Sequence, residues 1–256
     1  MPLPHGYRTA LVTGASRGIG AEIARSLAAE GMQVLALARS ADALADLASL
    51  PGIRPVVADV TDIGAVAAAL AGHEVDVLVN NAGAVGSVAP LHHQTLAETA
   101  QVIALNLTAP LQLMQLLLPG MEARGRGHVI SLTSAVAQAV FPGTATYAAS
   151  KAALAMAHQV LRHDMAGRNI RFTEIVPGRV ETDFYLSAFG QDAEKLRDTL
   201  YARQRALHPQ DVAQAILSAL TMADRACLSR IELMPTDQAV GGHVFPERGT
   251  DGRDAL

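Results

Sequence analysis

The 256-residue chain has one cysteine, no tryptophan, and only two lysines, Lys151 and Lys195, among its 20 basic residues. Cys227 alone cannot close an internal disulfide, and no Cys/His cluster has zinc-ligand spacing. The adjacent His92 and His93 sit in a polar stretch and read as solvated, so no metal site is expected. Only 17% of residues are charged, the net charge is -4, and no long basic run occurs. That excludes the electrostatic footprint of a nucleic-acid or anionic-membrane binder. Residues 1–8 lack an apolar signal segment, and no uncharged run of about 18 residues is expected to span a membrane. A reducing cytoplasm is the expected compartment.

Half of the residues are hydrophobic, which supports a well-buried globular fold. Apolar runs suited to buried parallel strands fall at 9–13, 33–38, 53–58, 75–80, 128–133, 170–176 and 230–234. Helical patterns fall near 18–30, 41–49, 62–71, 95–123, 146–166 and 210–223. This alternation predicts an α/β fold, a doubly wound parallel sheet of about seven strands with helices on both faces. No linker-like break or internal repeat interrupts it, so residues 1–256 are read as one domain. Residues 181–208 are longer than an ordinary connection. They carry Phe184, Tyr185, Phe189 and Tyr201, four of only nine Phe and Tyr, and are read as a helical flap over a ligand crevice.

In a chain that otherwise uses arginine for positive charge, one lysine stands four residues after a tyrosine, in Tyr147-Ala148-Ala149-Ser150-Lys151. On a helix that spacing puts phenol and ammonium on one face. A nearby positive charge favours the phenolate of a group whose free pKa is about 10. The pair is thus a candidate proton donor and acceptor, and an ammonium provides a compact charge with rotatable donors.

At the other end of the chain, Thr13-Gly14-Ala15-Ser16-Arg17-Gly18-Ile19-Gly20 follows the first strand and opens the first helix. Glycines there allow a tight turn and close approach to a pyrophosphate, whose charge the helix N-terminus attracts. The second strand ends at Ala38-Arg39, where an NAD enzyme normally places an acidic residue. Arg39 and Arg17 together suit a 2'-phosphate, favouring NADP(H) over NAD(H). Asp59-Val60 and Asn80-Asn81-Ala82-Gly83 close the third and fourth strands, at sheet ends where such folds bind ligands; Asp59 is a candidate acceptor for an adenine amino group. Pro110 follows Asn106 by four residues and lacks the N-H that the Asn106 carbonyl would otherwise accept, so that oxygen is expected to be free.

In order along the chain, these elements resemble the short-chain dehydrogenase/reductase family. The matching positions are the TGxxxGIG turn, Asp59-Val60, the NNAG run, Asn106, Ser134 thirteen residues before Tyr147, Tyr147 with Lys151, and Pro177-Gly178 followed by Thr182. The resemblance implies strand order 3-2-1-4-5-6-7 and a homodimer or homotetramer. It implies catalytic roles for Asn106, Ser134, Tyr147 and Lys151. Tyr147 would be the general acid and base, and Lys151 would bind the nicotinamide ribose and lower the tyrosine pKa. Ser134 would hold the substrate oxygen and Asn106 a relay water. Gly14, Ser16, Arg17, Gly18, Ile19, Gly20, Arg39, Asp59, Val60, Asn81, Ala82 and Gly83 would bind the cofactor with Tyr147 and Lys151. Pro177, Gly178 and Val180 would flank the nicotinamide, and Thr182 would take its carboxamide.

The implied activity is NADP(H)-dependent interconversion of a secondary alcohol and a carbonyl. A non-catalytic NADP-binding regulator, or an epimerase or dehydratase on the same fold, are the alternatives. Gln138, Val140 and Phe141 after Ser134, with Phe184, Tyr185 and Phe189 of the flap, are the expected substrate lining. It is mostly apolar, which points to a substrate with an apolar or aromatic body. The segment 231–238 is similar to that of members acting on small hydroxy acids. Leu154, Met156 and Leu161 offer a helix face for subunit contact.

Overall fold

A computed structural model describes residues 4–189, 192–198 and 205–238, excepting the side chains of Pro4, Ser187 and Phe189. Tyr201 lies outside these residues, as do parts of the expected flap.

Short apolar runs form seven strands: β1 (Thr9–Thr13), β2 (Gln33–Ala38), β3 (Ile53–Val57), β4 (Val77–Asn80), β5 (Gly127–Leu132), β6 (Ile170–Pro177) and β7 (Arg230–Leu233). They pair in parallel in the order β3-β2-β1-β4-β5-β6-β7. Such strands are hydrophobic on both faces because helices cover both. One face carries α1 (Gly18–Ala29) and α8 (Pro209–Leu220), whose Ile23, Leu27, Val212, Ile216 and Leu220 are wholly buried against it. The other carries α3 (Ile63–Ala69), α5 (Ala109–Arg124) and α6 (Ala145–Asp164), through Val66, Leu113, Met114, Met121 and Leu154. At about 25 cal/mol per Å² of apolar area, these two layers are the main stabilising term. Short helices α2 (Ala45–Ala48) and α7 (Ala193–Leu196) complete the set with α4 (Leu96–Ile103). Because β1 lies between β2 and β4, the chain reverses its winding there, and a crevice opens at the carboxyl ends of the strands.

The single helix expected at 95–123 is three segments. Thr95 caps α4 by accepting the Glu98 N-H at 3.1 Å. Residues Ala104–Thr108 then widen into a π turn, in which the Ala109 N-H donates to the Ala104 carbonyl five residues back. Pro110 stands at the start of α5, so the missing N-H falls where the helix changes pitch. The disturbance at Pro110 thus coincides with a local change of helix type. By length and a mean hydropathy of 1.5, Leu96–Arg124 is long and apolar enough to cross a membrane, contrary to the expectation above. The buried side of α5, from Ala109 to Met121, packs against the sheet.

The face of α6 also differs from expectation. Leu154 is buried in the core and Leu161 packs against it, whereas Met156 and Val160, four residues apart, are exposed.

Candidate active site

The crevice has a volume of about 580 Å³, within the range of small-molecule sites. It is lined by Gly14, Ser16, Arg17, Gly18, Ile19, Gly20, Arg39, Asp59, Val60, Asn81, Ala82 and Gly83 from the carboxyl ends of β1 to β4. Ser134, Tyr147, Lys151, Pro177, Gly178, Val180, Thr182, Phe184 and Tyr185 line the remainder.

At the phosphate end, Gly14 has φ +65°, and a Cβ on it would lie 2.9 Å from the Ala82 Cα. A Cβ on Gly20 would lie 2.3 Å from the Gly14 carbonyl oxygen. Only glycine fits either position, so the turn is drawn tight over the start of α1. Asn81 locks it from below: its Nδ2 donates to the Thr13 carbonyl at 2.8 Å, and the backbone N-H groups of Asn81 and Ala82 both donate to Thr13 Oγ1 at 3.0 Å. Arg17 and Arg39 are exposed at the rim. Asp59 is held below the usual carboxylate range by hydrogen bonds from the Thr61 N-H and hydroxyl, with the Arg39 charge a smaller contribution. Its Oδ1 is thus already engaged by its own turn.

At the other end, Tyr147 and Lys151 are both nearly inaccessible, at 4% exposure each. Ser134, two residues past the end of β5, is buried beside Tyr147 in the same crevice wall, and its Oγ accepts the Val136 N-H at 3.4 Å. Lys151 Nζ donates to the Leu132 carbonyl at 2.8 Å and lies 6.0 Å from the centroid of the Tyr147 ring. Burial pushes the Tyr147 phenol above its ordinary value, Tyr185 adds to the rise, and the Ser134 hydroxyl opposes it. Burial also brings Lys151 down to about 8. Desolvation is thus the largest influence on the Tyr147 phenol, and the Ser134 hydroxyl opposes it.

Asn106 does not line the crevice. It is wholly buried behind it, with its amide bonded to both backbone groups of Ala84 and to Ser150 Oγ. Its side chain joins the loop after β4 to α6. A Cβ on Gly83 would meet Asn106 Oδ1 at 3.1 Å and Lys151 Nζ at 3.5 Å, so these groups crowd one point of the crevice wall.

The substrate lining is only partly as expected. Gln138 and Val140 are exposed outside the crevice, Val140 at 87%. Their loop turns outward after the short Ala135–Ala137 helix. Phe141 turns in and packs with Val85, Val136 and Tyr147, but does not line the crevice wall. Phe184 and Tyr185 close over the same cluster, the Phe184 ring centred 5.9 Å from that of Tyr147. The side chain of Phe189 lies outside the described residues. Arg205 is paired with Asp237 at 2.7 Å on the surface.

Two groups were not anticipated. Gln94 ties the loop after β4 to the start of α6, its Oε1 accepting from Thr146 Oγ1 at 2.8 Å. Buried Glu174 accepts from Thr133 Oγ1 at 2.7 Å, next to Ser134. Neither belongs to a motif; a lone Glu inside the apolar run 170–176 was the only available signal.

The sequence profile of the family described as short chain dehydrogenase matches residues 8–192. An uncharacterized short-chain type dehydrogenase/reductase of Sinorhizobium fredii is 41% identical over 236 residues, covering 92% of this chain and 94% of that protein. An NADP-dependent 3-hydroxy acid dehydrogenase of Salmonella typhi is 32% identical over 240 residues, covering 91% and 96%. The solved closed form of a serine dehydrogenase complexed with NADP+ matches with a TM-score of 0.88 at 30% identity, covering 93% of this chain and 98% of that one. The chain therefore belongs to the short-chain dehydrogenase/reductase family of oxidoreductases.

Proposed function

We propose that the protein is an NADP(H)-dependent oxidoreductase that interconverts a secondary alcohol and its carbonyl, with Tyr147 as proton donor and acceptor. The observation that carries this reading is the Ser134 to Tyr147 hydroxyl pair, buried beside Lys151 in the same crevice as the glycine turn.

The crevice fits a phosphorylated dinucleotide. Gly14 and Gly20 leave no room for a side chain against Asn81, Ala82 and the Gly14 carbonyl, which draws the turn close over the start of α1, where helix N-H groups would meet a pyrophosphate. Arg17 and Arg39 would hold a 2'-phosphate, and the relatives described as NADP-dependent or NADP-bound favour the same cofactor. Thr182, Gly178 and Val180 would flank the nicotinamide, which supplies or accepts the hydride when bound.

Ser134 then orients the substrate oxygen, and Tyr147 gives a proton to the oxygen as negative charge develops on it. The phenol is protonated at neutral pH and can act as the acid, and use of NADP(H) favours the reductive direction. Lys151, on the crevice wall, would bind a ribose hydroxyl of the cofactor, and Asn106 acts by holding the wall. The proposal includes a cytoplasmic homo-oligomer, with Met156 and Val160 on α6 as a candidate contact face.

Steady NADPH oxidation with a panel of keto acids, aromatic ketones and ketoacyl thioesters tests this. Activity with at least one carbonyl class, lost in Tyr147→Phe, is the expected result; a wild-type rate in that variant refutes the assigned acid.

A further inference from the structure

Three hydroxyls fall within four residues where β5 runs into the crevice: Ser131, Thr133 and Ser134. The tertiary structure gives the first two other partners. Ser131 Oγ lies 3.2 Å from Nδ1 of His158 on α6. Thr133 Oγ1 donates to Glu174 Oε1 on β6 at 2.7 Å, and the Thr133 N-H donates to the Ile175 carbonyl at 2.9 Å. One residue past the last of β5, Thr133 is thus tied to β6 by both its backbone and its side chain.

Glu174 is the unusual partner. It stands opposite Ser131 of β5 and Arg230 of β7 in the sheet and is only 3% exposed. A buried carboxyl is costly unless its oxygens are engaged. Its Oε1 takes the Thr133 hydroxyl, while Oε2 faces Arg230 Nε at 4.0 Å, and that arginine is 40% exposed and shared with Glu232. An ion pair that long and that open to water offsets little of the cost. Apolar residues of similar volume fill such places at lower cost, so packing does not account for a carboxyl here. Among the described residues, the side chain that hydrogen-bonds it belongs to Thr133, the residue before Ser134.

We propose that Glu174 is a positioning residue for the reaction: by accepting from Thr133 it fixes the chain just past β5 and engages that hydroxyl, leaving Ser134 to meet the substrate oxygen beside Tyr147. This rests on the oxidoreductase reading of the same crevice. Glu174 itself does not line the crevice, whereas Thr133 and Ser134 do. Loss of the Thr133 tie therefore reaches Ser134 through a single peptide unit. Small displacements there matter, because the reacting atoms must be held about 3 to 3.5 Å apart, and a shift of about 1 Å costs about 100-fold in rate.

The test compares Glu174→Ala, Glu174→Gln, Thr133→Val and the Glu174→Ala/Thr133→Val pair in the full chain. It measures NADPH oxidation with the carbonyl that the unmodified chain reduces best, NADPH affinity by fluorescence titration, urea midpoints, and amide hydrogen exchange by NMR. Glu174→Ala and Thr133→Val are each expected to lower kcat about 10- to 100-fold at unchanged NADPH affinity. Glu174→Gln keeps an acceptor oxygen and should retain most of kcat. The pair should be no slower than Glu174→Ala, because both changes remove one contact. An unchanged kcat in Glu174→Ala, with only a lower urea midpoint, shows a purely structural tie and overturns the proposal; so do losses that multiply in the pair. If Glu174→Ala does not fold, Thr133→Val removes the same contact from the other side, and an unchanged kcat there overturns the proposal equally. No NADPH oxidation by the unmodified chain with any carbonyl sinks the oxidoreductase reading, and exchange then judges the tie. Faster exchange of the Thr133 and Ser134 amides in Glu174→Ala supports it, and unchanged exchange refutes it.

Discussion

The side chain of Asn106 bonds both backbone groups of Ala84, accepting its N-H at 2.9 Å and donating to its carbonyl at 2.8 Å. The same amide donates to Ser150 Oγ at 3.0 Å, and that hydroxyl donates to the Tyr147 carbonyl at 2.7 Å. One buried side chain thus sets the distance between the loop after β4 and the helix that presents Tyr147.

Asn106→Ala leaves those groups without partners in a place water does not reach. Unfolding in urea is expected to show a loss of about 2 to 4 kcal/mol, since each stranded buried group costs about 1 to 3 kcal/mol and the losses overlap. Asn106→Asp, which keeps the acceptor and loses the donor, should fall between. A change below about 0.5 kcal/mol in the alanine variant would show that the amide is not a structural tie.

Tyr147→Phe should lower kcat by about 10² to 10⁴, the usual contribution of a general acid. The Ser134 and Tyr147 side chains line one wall of the crevice, and the Ser134 hydroxyl opposes the rise in the Tyr147 pKa, so the two are expected to act as a unit. Ser134→Ala combined with Tyr147→Phe should then be little worse than Tyr147→Phe alone. Multiplying losses in single-turnover measurements would show independent roles.

His128 and His158 are buried and neutral, brought by desolvation to about 3 and about 4 from an ordinary 6.5. Between those values the unfolded chain binds more protons than the folded one, so stability falls as pH drops below about 6.5. The loss continues until each histidine protonates in the folded state. At pH 5 each should cost about 2 kcal/mol relative to pH 7 or above. Urea midpoints at pH 7 and pH 5 measure this, and His158→Asn should remove about half of the difference. Equal midpoints would mean that the histidines are accessible in the folded state.

Arg39→Glu should exchange the cofactor preference. Losing a charge-assisted contact to a 2'-phosphate and adding a like charge raises the NADPH KM by about 10- to 100-fold. NADH should be affected far less. An unchanged ratio of the two kcat/KM values would show that Arg39 does not face the phosphate.

Of the fold, the central strands were legible because a parallel strand buried on both faces is largely apolar, as in β1, β2 and β4, whereas the edge strands β3 and β7 are part exposed and carry Arg54 and Arg230. Val75 and Asp76 mark where that reading overran β4. The Asp76 carboxylate accepts the N-H groups of Arg8 and Thr9, a tie across the sheet end that local sequence does not announce. The helix pattern at 95–123 was legible as a helix, and Pro110 as a disturbance in it. That the disturbance is absorbed as a π turn depends on how α4 and α5 both seat on neighbouring elements.

The sequence by itself determined which residues meet at the carboxyl ends of the strands. Motif spacing and strand order are properties of the chain, and together they bring Gly14, Arg39, Ser134, Tyr147 and Lys151 to one crevice. Only the tertiary structure decided how those groups ionise and what surrounds them. Phe184 and Tyr185, remote in sequence, pack over Tyr147, and burial is the largest influence on its phenol. The outward turn of Val140 and the Gln94 clasp likewise depend on two loops meeting, a relation that no single stretch of chain contains.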